Sequence, residues 1–404
     1  MSSESRITAA ILTAAAAWLG TFPIVAQDLQ GRFHTDKDVY TLGEPVLFDV
    51  EIKNIGKGVV FLNAKNSNGC LDKYEFVVNG TGTACGATWD PGCADEESAL
   101  KPGESLRGQW PLDSWYQFES PGKYQVTATR HIPVRSGRDE VHDFTFVSKF
   151  EVRLEPADPR YVQSILQEFE RNLHSSDFDV RHTALDVLAT TAPVYFESTA
   201  LRLSRDSDPF VVVHAVAALG RLDTPEARAA LADVLAPGKS PKESAPDTPV
   251  TDYGLVRIRA IEALGRSGDA SYLTLIERYA DDANEYVQLG ALVAIAQLGK
   301  SDAVTQLQRL FLSGDPATRK NAAYALRYST VPDAVEALIG AITDKDPKVR
   351  ERVVTSLREL AGHSFGGSEV VESPEKMQNA WRSWWRTHKN NFIFPELQFL
   401  CRMK

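Results

Sequence analysis

The sequence predicts a multidomain chain, β then all-α, in which an antiparallel β-sandwich leads into an α-solenoid. Two observations carry this. Residues 28–155 alternate apolar and polar positions with the period of a half-buried strand, and the remainder repeats at a fixed spacing of 31 residues. The prolines of the joint, Pro156 and Pro159, separate the two regimes.

In the first region Val46, Phe48, Val50 and Ile52 alternate with Leu47, Asp49, Glu51 and Lys53. Tyr124, Val126 and Ala128 follow the same rule, as do Phe144, Phe146, Phe150, Val152 and Leu154. Turn residues punctuate them at Leu42-Gly43-Glu44-Pro45, Asn54-Ile55-Gly56, Asn79-Gly80 and Lys101-Pro102-Gly103. Short strands at this spacing, with no helical pattern between them, predict a sandwich over residues 27–156.

The second region is built on a recurring Asp. Asp346 precedes Pro347 and lies four residues before Arg350; 31 residues earlier Asp315 precedes Pro316 and Arg319. Further steps of 31 reach Asn284 and Tyr253, the latter four before Arg257. A step of 45, or one period plus a 14-residue insertion, reaches Asp208, and a last step of 31 reaches Asp177, four before Arg181. After each position come apolar residues at helical spacing, for example Val349, Val353, Leu357 and Leu360. A break at Leu219-Gly220, Leu264-Gly265 or Leu298-Gly299 then precedes a second apolar-periodic segment. Each period thus holds two amphipathic helices that bury their stripes only by stacking on neighbours. The solenoid is predicted over residues 157–361 as six repeats, with a Pro-rich insertion at 237–251.

Asp177, Asp208, Asp315 and Asp346 are placed as helix N-caps, with Pro at the first helical position in three of them. Arg181, Arg257, Arg319 and Arg350 read as structural residues that bond an Asp or a carbonyl of an adjacent repeat. The alternative, an anion-binding arginine row, is interrupted by Val212 and Gln288.

The motif Asp346-Pro347-Lys348-Val349-Arg350, and less completely Asp315-Pro316-Ala317-Thr318-Arg319 with Ala322 and Ala323, resembles the short HEAT repeats named after phycobilisome lyases. The resemblance implies a HEAT-like solenoid and a binding role, since such repeats serve many partners. The stretches Tyr40–Pro45, Val50-x-Ile52-x-Asn54 and Pro121-Gly122-x-Tyr124-x-Val126 resemble bacterial immunoglobulin-like modules, and a related sandwich family includes a proteinase inhibitor.

Beyond the last repeat, residues 362–404 are expected to cap the solenoid. Ser373 and Pro374 start a helix bearing Trp381, Trp384 and Trp385 on one face, which suits a cover for the last apolar surface. At the other end, a polar start with Arg6, an apolar run from Ile7 to Gly20 and Ala26 before Gln27 have the layout of a secretory leader over residues 1–26, removed or kept as an anchor. This predicts a periplasmic or secreted location, with no integral membrane contact once the leader is removed. In such a compartment one disulfide is expected among Cys70, Cys85 and Cys93, whose pairing the spacing leaves open.

Among 404 residues the net charge is −10, which argues against nucleic-acid binding. Gly362-His363-Ser364-Phe365-Gly366 matches a hydrolase elbow but follows a helix, where the strand-to-helix turn that exposes such a serine is missing. Deoxyhypusine hydroxylases hold irons with His-Glu pairs on similar repeats; this chain has no His-Glu dipeptide, and His182 and His214 stand five and six residues after their Asp. No catalytic residue, metal or cofactor is therefore assigned. The expected function is an exported, non-enzymatic scaffold that binds a protein partner on the solenoid face, with Arg259, Glu262, Lys320, Tyr324, Glu351 and Thr355 as contacts. Two alternatives stay open: an enzyme with a site between repeats, lyase- or hydroxylase-like, and a protease inhibitor acting through the sandwich.

Overall fold

Phe48, Val50 and Ile52 share one face of strand β3 (Leu47–Asn54) and are at most 2% exposed, as the period-two pattern requires. The structure, a computed structural model, describes residues 28–65, 74–84, 96–135, 141–191, 193–236, 252–298, 301–362 and 373–394. The predicted leader, the three clustered cysteines, the 237–251 insertion and Ser364 lie outside them.

Strand β3 pairs antiparallel with β1 (Leu29–Thr35) and β8 (Ser105–Pro111) in one sheet. The facing sheet runs β2 (Val39–Thr41), β11 (Val141–Glu155), β10 (Gly122–Arg135), β4 (Val60–Lys65), β7 (Glu96–Leu100), with β5 (Tyr74–Asn79) also on β10. Its spine is the long β10–β11 hairpin, in register from Gly122↔Leu154 to Arg135↔Val141. A small pair, β6 (Gly82–Ala84) and β9 (Tyr116–Phe118), closes one corner. The ladders are antiparallel except between β2 and β11, which run parallel. Between the sheets Phe33, Phe48, Tyr74, Phe76 and Trp115 form an aromatic cluster, with Phe76 and Trp115 ring centroids 4.9 Å apart.

Six helix pairs follow: α1 (Pro159–Asn172) with α2 (Phe178–Thr190), α3 (Pro193–Leu203) with α4 (Pro209–Leu222), α5 (Pro225–Val234) with α6 (Asp252–Ser267), α7 (Leu273–Glu277) with α8 (Glu285–Gln297), α9 (Ser301–Leu310) with α10 (Pro316–Leu326), and α11 (Pro332–Ala341) with α12 (Pro347–Ala361). Asp177 accepts from the amides of Asp179 and Val180, and Asp208 from that of Phe210. Asn284, Asp315 and Asp346 cap α8, α10 and α12 in the same way. Helix α12 ends at Gly362, whose φ of 59° is the left-handed C-terminal conformation that glycine takes without strain.

One expectation is corrected. Gly220 and Gly265 do not break the helices; they lie inside α4 and α6. A Cβ on Gly265 would stand 2.5 Å from the Cβ of Ala294 on α8, and one on Gly220 would stand 2.8 Å from that of Ala263 on α6. Glycine is there so that successive second helices can touch.

Those second helices (α2, α4, α6, α8, α10, α12) lie against one another in one continuous layer, whereas the first helices of the pairs meet only sparingly. The second helices are thus the close-packed layer of the stack. A single apolar core runs the length of the rod, from Leu166 to Trp385. Helix α13 (Pro374–His388) closes it: Trp381 is 1% exposed, Gln378 donates to the carbonyls of Ile339 and Gly340, and the Trp385 indole donates to Glu336. At the other end the sandwich rests on α2 through β8, and Leu47 joins the solenoid core.

Candidate functional site

The second helices bring the predicted contact residues to one layer, but not to one condition. Arg259 and Glu262 on α6 pair with each other at 3.2 Å, with side chains only 12% and 22% exposed, which leaves little of either to offer. Lys320 on α10 and Glu351 on α12 are exposed. Thr355 donates its hydroxyl to the Glu351 carbonyl at 2.9 Å. Tyr324 is half-buried; its hydroxyl lies 3.1 Å from that of Tyr328, and its ring carries the guanidinium groups of Arg327 at 4.6 Å and Arg352 at 5.3 Å. Arg327 also pairs with Glu359 at 2.5 Å. Two tyrosines and two arginines thus form a compact patch across α10 and α12, an arrangement held together by cation–π attraction.

The recurring arginines are tied into the scaffold. Arg319 donates through Nε and Nη2 to both carboxylate oxygens of Asp344, at 2.8 and 3.0 Å, and through Nη1 to the Ser313 carbonyl. Arg350 donates to the carbonyls of Asp344 and Lys345. Arg181 and Arg257 stand 3.8 Å from Asp208 and Asp282 of the following repeats. None of the four is arranged as part of a free basic row.

Where the sandwich meets the solenoid a cleft of about 840 Å³ opens. Its sandwich wall includes Asp49, Arg107, Gln109, Trp110 and Arg130; its helical wall includes Phe169, Asn172, Phe178, Asp179, His182 and Thr183. Asp49 accepts from the Gln109 amide at 3.1 Å. Arg130 is 1% exposed and lies over the Tyr74 ring at 4.2 Å; burial pulls its guanidinium down to about 10.

At the helical wall His182 and Asp186 stand four residues apart on one face of α2, and α4 brings His214 beside them. His182 Nε2 is 3.7 Å from Asp186 Oδ2, and His214 Nε2 is 3.4 Å from Asp186 Oδ1. The His182 ring stands against both Phe178 and Phe210, with centroids 5.6 and 5.4 Å away, and those two rings stack on each other at 5.7 Å. Burial lowers the His182 pKa, against the pull of Asp186. Burial would also raise the Asp186 carboxyl, but the neighbouring His182 and His214 hold it below the usual range. Offset counting separated these histidines, yet α4 is rotated so that its sixth position faces the fifth of α2. The His182-x-x-x-Asp186 spacing was the signal in the sequence that could have pointed to the trio.

Comparison with known proteins identifies HEAT repeats over residues 166–243, 251–327 and 307–373. No curated protein matches the chain. Among solved structures, an engineered protein is 20% identical over 48% of this chain and 95% of its own, with a TM-score of 0.31. A designed armadillo repeat protein is 18% identical over 48% and 99%, with a TM-score of 0.30. Human deoxyhypusine hydroxylase in complex with glycerol is 17% identical over 57% and 100%, with a TM-score of 0.24. Through residues 166–373, the chain belongs to the HEAT-repeat family.

Proposed function

We propose that the protein is an exported, non-enzymatic scaffold that holds a polypeptide partner on the second-helix face of the solenoid. The observation that carries this reading is the Tyr324–Tyr328–Arg327–Arg352 patch, flanked by exposed Lys320 and Glu351. Tyrosine and arginine dominate the energetic centres of protein interfaces because each offers a broad apolar or planar surface together with hydrogen-bonding capacity. A charged pair of opposite sign at its edge supplies orientation. The net charge of −10 disfavours a phosphate backbone as the ligand. Among the described residues no helix is long and apolar enough to cross a membrane. The leader-like residues 1–26 support an extracytoplasmic site of action.

The test is crosslinking in the native envelope with mass spectrometry to identify the partner, followed by titration of that partner against a triple variant, K320A/Y324A/E351A. Affinity should fall more than about tenfold, as expected when a tyrosine anchor is lost, while circular dichroism shows the variant still folded. Equal affinity of the variant for the crosslinked partner would refute the assignment of this face.

A further inference from the structure

We propose that His182, Asp186 and His214 bind one divalent first-row transition ion of the zinc class at the helical wall of the cleft. This goes beyond the scaffold reading and does not depend on it. The three side chains offer one ligand atom each, all within 4.8 Å of one another. Ligand atoms on a tetrahedral zinc with bonds of about 2.0–2.1 Å stand about 3.4 Å apart. The His214–Asp186 separation of 3.4 Å has this value, and the His182–Asp186 separation of 3.7 Å is close to it. The remaining His182–His214 edge lies within 4.8 Å and shortens on binding by rotation of an imidazole.

Hydrogen bonding points the same way. His214 Nδ1 lies 2.7 Å from the backbone carbonyl of Phe210. A carbonyl only accepts, so Nδ1 carries the hydrogen, and in the neutral ring Nε2 is left with a lone pair. That lone pair faces a carboxylate oxygen at 3.4 Å, so either a proton on Nε2 or a metal ion must lie between the two. Asp186 Oδ2, for its part, is buried with no hydrogen-bond partner, a costly state for a carboxylate oxygen. A metal ion satisfies both at once. The Phe210 carbonyl is then the outer partner that fixes the ring of a metal-binding histidine. The stacked rings of Phe178 and Phe210 give the His182 side of the trio an apolar flank.

Two imidazoles and one carboxylate select zinc, cobalt, nickel or ferrous iron over calcium and magnesium, which prefer all-oxygen shells. With three protein ligands the fourth position remains for water or an anionic group, and His182 sets it on the cleft. The ion would also tie α2 to α4 and so stiffen the repeats on which the sandwich rests.

The test uses the full chain, stripped with chelator and titrated with Zn2+ against a chromophoric competitor, then with Co2+ to read the visible bands of a tetrahedral site. H182Q, H214Q and the near-isosteric D186N are measured alongside, their folding checked by circular dichroism. Expected is one tight equivalent that each folded variant binds more than tenfold more weakly, together with cobalt bands that the variants lose. If the parent binds neither ion, or if the variants bind as it does (uptake by the cysteines alone), His182, Asp186 and His214 form only a proton-bridged ion pair and the proposal is wrong.

Discussion

Arg319 forks onto Asp344 across a repeat boundary, donating to both carboxylate oxygens while its third nitrogen holds the Ser313 carbonyl. The side chains are 2% and 10% exposed, so little water competes for either charge. Removing one partner strands the other. Arg319→Ala is expected to lower the melting temperature by several degrees, more than Arg350→Ala, whose parent side chain reaches only backbone carbonyls. Arg319→Lys should recover part of the loss, because an ammonium cannot reproduce the fork. The pair also has an acid limb. Burial would raise the Asp344 pKa, but Arg319 holds it below the carboxylate norm. Its stabilisation is therefore present above about pH 4 and lost as pH falls below that. Asp344→Asn should be less stable than the parent at pH 7, and the gap should narrow toward pH 3. A constant gap would mean that the ion pair contributes no pH-dependent stability.

Glycines in this solenoid divide by what a methyl group would meet. At Gly265 it would stand 2.5 Å from the Ala294 Cβ and 2.7 Å from the Ala294 Cα, on α8. At Gly340, in α11, it would meet nothing within 4 Å. Alanine gains about 1 kcal/mol of helix propensity over glycine, whereas overpacking a tight contact costs about 1–3 kcal/mol. The clash wins at Gly265, because the opposing atoms include backbone. Gly265→Ala is expected to destabilise by about 1–2 kcal/mol net. Gly340→Ala, free of the clash, is expected to stabilise by up to about 1 kcal/mol. Denaturant titration of both decides it; stabilisation at both positions would show that helix propensity alone governs them.

The same glycines show where the sequence stops being legible. The Asp caps could be read because capping is local: Asp346 bonds the amides of Lys348 and Val349, two and three residues on. Gly265 could not, because its reason is Ala294 on another helix, and a glycine that ends a helix is locally indistinguishable from one that admits a neighbour. For the candidate metal site, the half on α2 was visible as an i, i+4 pair. His214 was hidden by the rotation of α4 about its axis, which packing sets. Nothing local to Asp113 indicates that it meets α4 of the solenoid. Burial patterns were readable because they report one face at a time; which faces meet is decided by many weak contacts spread along the chain.

Asp113 carries the last prediction, since it joins the two parts of the molecule. Its carboxylate accepts the Val46 amide at 3.1 Å, and Leu112 donates back to the Val46 carbonyl at 2.7 Å. Thr191, at the end of α2, and Arg221, at the end of α4, face the same carboxyl. Burial outweighs these partners and pushes Asp113 up to about 7; the same burial brings Arg221 down to about 10. An unfolded aspartate titrates near 3.9. Between the two values folding takes up a proton, so stability from this group is complete below about pH 4 and is lost as pH rises through 7. Since the side chain is only partly shielded, the change between pH 5 and 8 is discounted to roughly 1–2 kcal/mol. Asp113→Asn stays neutral and keeps an acceptor for Val46. It should be more stable than the parent at pH 8, the gap should have narrowed by pH 5, and the parent should draw level only toward pH 4. Every other titrating group is common to both proteins, so the difference between their stability curves isolates this carboxyl. Parallel curves would mean that Asp113 is ionised in the folded protein throughout, with Arg221 as a full counter-charge.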